Sequence, residues 1–121
     1  MPVCSSYRGM YYTERMNIPV VSLNNGRTIP TLGLGTSQMK DPADTVGVIK
    51  TALDIGYRLI DTAALYLNEE AVGRAIKRSK IPREEIFVTS KVWVQDAGYE
   101  TTKKAFERSL KDCSLITLIF I

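Results

Sequence analysis

Two short apolar runs begin the regular part of the chain. Residues 20–23 and 28–32 are strand-like, and the sequence Asn-Asn-Gly-Arg lies between them. Asn-Gly is a strong hairpin signal, because both residues accept a positive φ. The pattern therefore predicts a β-hairpin that turns over residues 24–27. A glycine-rich strand over residues 32–36 is predicted to follow.

Segments with helical spacing then alternate with short apolar runs. Asp41 and Pro42 are typical of a helix start, and Gly56 is typical of a helix end. Asn68 predicts the cap of a second helix. Alternating strands and helices imply parallel strands in an α/β fold. The other predicted elements are strands over residues 57–61, 86–93 and 115–121 and a third helix over residues 99–111.

Length and composition indicate one globular domain. The chain has 121 residues, of which 45% are apolar and 24% charged, and its net charge of +3 comes from 16 basic and 13 acidic residues. This mild, mixed charge argues against nucleic-acid binding. No apolar run approaches the ~20 residues that span a bilayer, so no membrane partner is predicted. Residues 1–15 lack periodicity, and we expect a disordered extension there and one domain over residues 16–121.

The cysteines and the absence of histidine exclude several site classes. Cys4 and Cys113 match no metal-binding or redox spacing, so no metal site is predicted and a reducing, cytoplasmic location is favoured. The chain has no histidine. It therefore contains no Ser-His or Cys-His catalytic pair and no metal ligated by histidine.

Three polar residues follow the predicted parallel strands. Asp61 ends one strand, Tyr66 comes five residues later, and Lys91 lies at the end of the next strand. Ligands of such folds bind beyond the carboxyl ends of the strands, and adjacent strands place Lys91 near Asp61. An ammonium group beside a phenol favours the phenolate and assists proton exchange. The structural alternatives are a turn-capping aspartate, a half-buried loop tyrosine and a lysine that extends to solvent.

The glycine-rich segment over residues 33–36, Gly-Leu-Gly-Thr, permits two interpretations. Two glycines allow a ligand to approach the backbone closely, as in phosphate-binding loops. No third glycine opens a helix after them, so the dinucleotide fingerprint is incomplete. A tight strand end and a cofactor loop both remain open at this point.

Three blocks of the sequence together resemble the aldo-keto reductase family. Residues 56–73 are similar to the signature of that family, residues 86–93 to its lysine-bearing strand, and residues 29–36 to its first barrel strand. The first block reads GYRLIDTAALYLNEEAVG. The resemblance covers most of the chain and implies the N-terminal half of a (β/α)8 TIM barrel, preceded by a β-hairpin.

The resemblance also implies an NADPH-dependent oxidoreductase that converts small aldehydes and ketones to alcohols. Tyr66 would protonate the carbonyl oxygen, Lys91 would assist that proton transfer, and Asp61 would hold Lys91. Gly35 and Thr36 would lie near the cofactor. The residue implied for the substrate pocket is Trp93.

The sequence departs from the family pattern in three places. Ser37 stands where an aromatic residue usually follows the Gly-Thr pair, and Leu59 replaces a frequent histidine. The family's fourth catalytic residue, a histidine, is absent, and so is the half of the barrel that holds the adenine and 2′-phosphate sites. A complete barrel needs ~250 residues. We therefore expect a truncated chain that is inactive by itself.

Two other classes of function compete with a reductase. One is a non-enzymatic half-barrel that self-associates or pairs with another chain, and the other is a small nucleotide-binding α/β module. Residues 115–121 carry no charge and no proline, a composition typical of aggregating segments.

The last six residues suggest a frame shift. Deleting one base from codons for the family-like text Asp-Tyr-Phe-Asp-Phe-Tyr-Leu-Ile-His gives Ile-Thr-Leu-Ile-Phe-Ile and a stop, which matches residues 116–121. We therefore expect the DNA beyond Leu115 to encode a histidine in the alternate frame.

Overall fold

The predicted hairpin is present, and a glycine at positive φ closes its turn. The computed structural model describes residues 16–115 and 117–121; the predicted extension over residues 1–15 lies outside them. Strands β1 (Val20–Ser22) and β2 (Thr28–Pro30) pair antiparallel. Gly26 has a φ of 79°, whereas Asn25 does not adopt a positive φ. A three-residue loop closes this hairpin and needs only one left-handed residue, its glycine.

A four-stranded parallel sheet forms the centre of the fold, as predicted. Its strand order is β3-β4-β5-β6, so each strand pairs with the next along the chain. All four strands are short, and their carboxyl ends meet at one edge of the sheet. They are β3 (Leu34–Gly35), β4 (Leu59–Asp61), β5 (Phe87–Ser90) and β6 (Ile119–Phe120).

The strand predicted over residues 86–93 is shorter in the structure. It ends at Ser90, and a 3₁₀ turn over Val94–Asp96 follows. Lys91 and Trp93 therefore lie in the loop beyond the strand rather than within it. Within the apolar run over residues 115–121, strand β6 covers Ile119–Phe120.

Each of the three helices begins close to the predicted residue. Helix α1 spans Pro42–Ile55. Its N-cap is Asp41, whose Oδ1 accepts hydrogen bonds from the backbone N–H of Ala43 (2.8 Å) and Asp44 (2.9 Å). Its C-cap is Gly56, with a φ of 124°. Both were predicted. Asn68 precedes α2 (Glu69–Ser79), but its side chain makes no capping hydrogen bond. Helix α3 is Tyr99–Asp112.

The hydrophobic core lies between the sheet and the helices. Ile60 and Val88, which are paired neighbours on β4 and β5, are almost fully buried against α1 and α2. Leu59 and Phe87 point to the opposite face of the sheet and are only half-buried. This asymmetry separates a packed outer layer from an inner face that carries Asp61. The helical part of the core contains Val46, Ile49, Leu53, Ala71, Val72, Ala75 and Ile76.

On the face of the sheet that packs against the helices, a buried polar cluster joins α2, β5 and α3. The Glu69 carboxylate accepts hydrogen bonds from the hydroxyls of Ser90 (2.6 Å) and Ser109 (3.1 Å). Burial and, after it, the negative charge of Glu69 raise the pKa of the Cys113 thiol to about 12. The thiol is therefore protonated at neutral pH, and Cys113 acts as a packing residue where α3 meets Gly73 of α2.

Candidate active site

Asp61 and Lys91 form an ion pair at the carboxyl edge of the sheet. The Lys91 ammonium donates to Asp61 Oδ1 at 2.8 Å, to Asp61 Oδ2 at 2.7 Å and to the carbonyl oxygen of Thr62 at 3.0 Å. All three of its protons thus have acceptors. The two side chains are 39% and 40% exposed. The proximity predicted for neighbouring parallel strands is present.

Tyr66 lies next to this pair, at the end of the 3₁₀ turn Ala64–Tyr66. The turn is attached to the loop after β5 by a hydrogen bond from the Ala64 N–H to the Lys91 carbonyl (3.4 Å). The Lys91 Nζ atom is 5.5 Å from the centroid of the Tyr66 ring, within the range of a cation–π contact. The structure therefore places the three predicted catalytic residues in one cluster.

The residue after Tyr66 has a strained backbone. Leu67 has a φ of 55°, a left-handed conformation that costs a non-glycine residue about 1–2 kcal/mol. Its side chain is 92% exposed, so no packing offsets this cost locally. Such strain is common beside functional sites, where the surrounding structure imposes the conformation.

Asn68 connects the loops around the site, which the sequence interpretation missed. Its Oδ1 accepts hydrogen bonds from the hydroxyls of Thr36 (3.3 Å) and Thr62 (2.9 Å), and its Nδ2 donates to the carbonyls of Thr36 (2.8 Å) and Met39 (3.2 Å). The amide thereby uses its full hydrogen-bonding capacity in a buried position. Only the position of Asn68, directly before a helix, was visible in the sequence, and it suggested a helix cap.

Gly35 and Thr36, the predicted cofactor residues, differ in accessibility. Gly35 ends β3 and is exposed, and a Cβ atom added there would meet nothing within 4 Å. Thr36 is fully buried, and its hydroxyl also approaches the carbonyl oxygen of Asp61 at 3.2 Å. Gly35 therefore offers an open surface beside Asp61, whereas Thr36 fixes the loop.

Trp93 lies on the rim of the same edge. It is 39% exposed and directly precedes the 3₁₀ turn Val94–Asp96. Leu65 and Val94, which follow β4 and β5, are also exposed apolar residues. The rim around the ion pair therefore presents apolar side chains, including the tryptophan predicted for substrate binding.

A separate cavity lies away from this edge of the sheet. It has a volume of about 840 Å³ and is lined by the hairpin and by residues near the amino ends of the strands, including Arg58 and Arg83. Neither Asp61, Tyr66 nor Lys91 lines it. In the described part of the chain, no three Cys, Asp or Glu residues are grouped as metal ligands would be, and no helix is long and apolar enough to cross a membrane.

Comparisons with known proteins agree on one family. The model of the Aldo/keto reductase family matches residues 31–118. An aldo-keto reductase of Mycobacterium sp. (strain MCS) is 51% identical over 102 residues, which are 84% of this chain and 36% of that protein. The glyoxal reductase of Bacillus subtilis (strain 168) is 50% identical over 95 residues, 78% of this chain and 34% of that protein.

Solved structures support the same assignment. The crystal structure of Bombyx mori aldo-keto reductase in complex with NADP superposes with a TM-score of 0.81 at 34% identity, covering 85% of this chain and 36% of that one. The chain thus spans about a third of the length of the relatives it matches. The predicted fold, the N-terminal half of a (β/α)8 barrel after a hairpin, is confirmed. Because the family model matches most of the chain, the chain belongs to the aldo/keto reductase family.

Proposed function

We propose that this chain supplies the proton-transfer residues of an NADPH-dependent carbonyl reductase that converts small aldehydes and ketones to alcohols. The observation that carries the proposal is the Asp61–Lys91 ion pair with the Tyr66 ring 5.5 Å from the ammonium nitrogen. The names of two relatives, glyoxal reductase and 9,11-endoperoxide prostaglandin H2 reductase, support an oxidoreductase.

Each of the three side chains has a separate task. The Tyr66 hydroxyl donates its proton to the carbonyl oxygen of the substrate, which leaves a phenolate. The Lys91 ammonium, adjacent to the ring, stabilises that negative charge. Asp61 holds the ammonium with both carboxylate oxygens, so it is a positioning residue.

The open surface at Gly35 suits a planar group lying against the backbone at the carboxyl edge of the sheet. When bound there, NADPH supplies the hydride that reduces the carbonyl carbon. Thr36 holds the loop that carries Gly35 through its bonds with Asn68. Trp93 contributes an apolar wall for the carbon skeleton of the substrate.

A chimeric protein tests the proposal. It joins residues 16–115 of this chain to the part of the Bacillus subtilis glyoxal reductase that follows the matched segment. We expect it to oxidise NADPH when a small aldehyde is added, because the cluster is already assembled in this chain. A chimera that folds and binds NADPH but shows no aldehyde-dependent oxidation contradicts the proposal. The intact glyoxal reductase is the positive control.

A second proposal is that this chain self-associates. Strands β3 and β6 form the two edges of the sheet, and the half-buried Leu59 and Phe87 lie on its inner face. Unpaired edges and apolar faces favour pairing with another chain. We therefore expect the 121-residue chain to sediment as a species larger than a monomer at micromolar concentration. A monodisperse monomer in analytical ultracentrifugation contradicts this expectation.

A further inference from the structure

The Asp61 carboxylate has a second partner besides Lys91. The Thr89 hydroxyl donates to Asp61 Oδ1 at 2.5 Å, and the same oxygen accepts from Lys91 Nζ at 2.8 Å. Thr89 belongs to the sheet itself, whereas Lys91 lies in the loop beyond it. The carboxylate is therefore tied both to a loop and to the central sheet.

The sheet register explains why Thr89 can reach the carboxylate. Thr89 is paired directly with Asp61 across β4 and β5, so both side chains are on the same face. Thr89 is 6% exposed, and its branched side chain has few rotamers, which fixes the direction of the hydroxyl. By contrast, both members of the ion pair are about two-fifths exposed. Ion pairs at that exposure are weak and do not by themselves hold one geometry.

Thr89 also supports the other acceptor of the lysine. Its carbonyl oxygen accepts a hydrogen bond from the Thr62 N–H at 2.9 Å, and the Thr62 carbonyl accepts from Lys91 at 3.0 Å. Both groups that hold the ammonium are thus anchored to one strand residue, one through its side chain and one through its backbone.

We propose that Thr89 is a positioning residue, whose hydroxyl fixes the Asp61 carboxylate and thereby keeps the Lys91 ammonium beside Tyr66. The significance of this role rests on the proposed function, in which that ammonium stabilises the phenolate. The contact itself is a property of the chain alone and can be tested without cofactor or substrate.

The test measures the reactivity of Lys91. The folded chain is exposed to a trace of acetic anhydride, and acetylation of Lys91 is compared by mass spectrometry with that of the exposed Lys104. While its nitrogen is held against the Asp61 carboxylate and the Thr62 carbonyl, Lys91 is less accessible to the reagent than a lysine on a mobile side chain. We expect Thr89→Val to increase the relative labelling of Lys91 by about two- to fivefold, the range that weakening an ion pair at this exposure predicts. Asp61→Asn is expected to increase it at least as much.

Three further variants separate positioning from a general structural effect. Thr89→Ser keeps the hydroxyl and is expected to restore the slow labelling. Thr102→Val removes a half-buried hydroxyl that donates to the Asp96 carbonyl at 3.1 Å and should leave Lys91 unchanged. Thr89→Ala replaces Thr89→Val as the test variant if the valine substitution alters the circular dichroism spectrum.

Slow labelling of Lys91 in folded Thr89→Val or Thr89→Ala overturns the proposal, and so does fast labelling in Thr89→Ser. Neither result bears on carbonyl reduction, since the experiment involves no turnover. An inactive chimera, in turn, contradicts the proposed function while leaving the Thr89 contact intact.

Discussion

Tyr66→Phe is expected to lower kcat for aldehyde reduction by the chimera about 10²–10⁴-fold, the usual effect of losing a general acid. The phenylalanine ring keeps its place beside the Lys91 ammonium, so the substitution removes the hydroxyl and little else. Binding of NADPH, measured by its fluorescence, is expected to be unchanged. The substitution then lowers the rate of the chemical step and leaves the affinity for NADPH unchanged.

Tyr99 provides the matched control. The Lys103 Nζ atom lies 4.2 Å from the centroid of its ring, so it too is a tyrosine beside a lysine. Tyr99 is 78% exposed on α3, away from the carboxyl edge of the sheet. Tyr99→Phe is expected to leave kcat unchanged. Equal activities of the Tyr66→Phe variant and the parent would remove Tyr66 from its proposed role.

Gly73→Ala is expected to destabilise the chain by about 1–3 kcal/mol, the typical cost of overpacking. A Cβ atom at Gly73 would overlap the carbonyl oxygen of Cys113, so α2 and the end of α3 would have to separate. The overlapping atom belongs to the backbone and cannot move aside by changing a rotamer. Urea denaturation at low protein concentration measures the difference in the free energy of unfolding.

Gly47 in α1 is the opposite case and serves as the control. A Cβ atom added there would meet nothing within 4 Å. Because alanine is the better helix former, Gly47→Ala is expected to stabilise the chain by about 0.5–1 kcal/mol. Changes of the same sign at both glycines would contradict the packing explanation.

The sequence predicted those structural features that depend on a few neighbouring residues or on strand direction alone. Asp41 and Gly56 marked the ends of α1, because capping and positive φ depend on a few neighbouring residues. The meeting of Asp61 and Lys91 could be predicted as well, since parallel strands bring their carboxyl ends to one edge.

Contacts that depend on several loops at once could not be predicted. Asn68 was assigned to a helix cap, but in the structure its amide binds Thr36 and Thr62, which belong to different loops. The hydrogen bond from Thr89 to Asp61 depends on the register between β4 and β5, and the sequence of the two strands did not determine that register. The length of the hairpin loop could not be predicted either, because an Asn-Gly pair is compatible with more than one loop length.

The most direct test of the account is the kcat of the chimera that carries both Tyr66→Phe and Lys91→Met, compared with each single variant. If the ammonium acts only through the tyrosine, its loss has no further effect once the hydroxyl is gone. We therefore predict that the double variant is as slow as Tyr66→Phe alone. Losses that multiply would show that the two residues act independently, and would contradict a single proton-transfer unit made of Asp61, Lys91 and Tyr66.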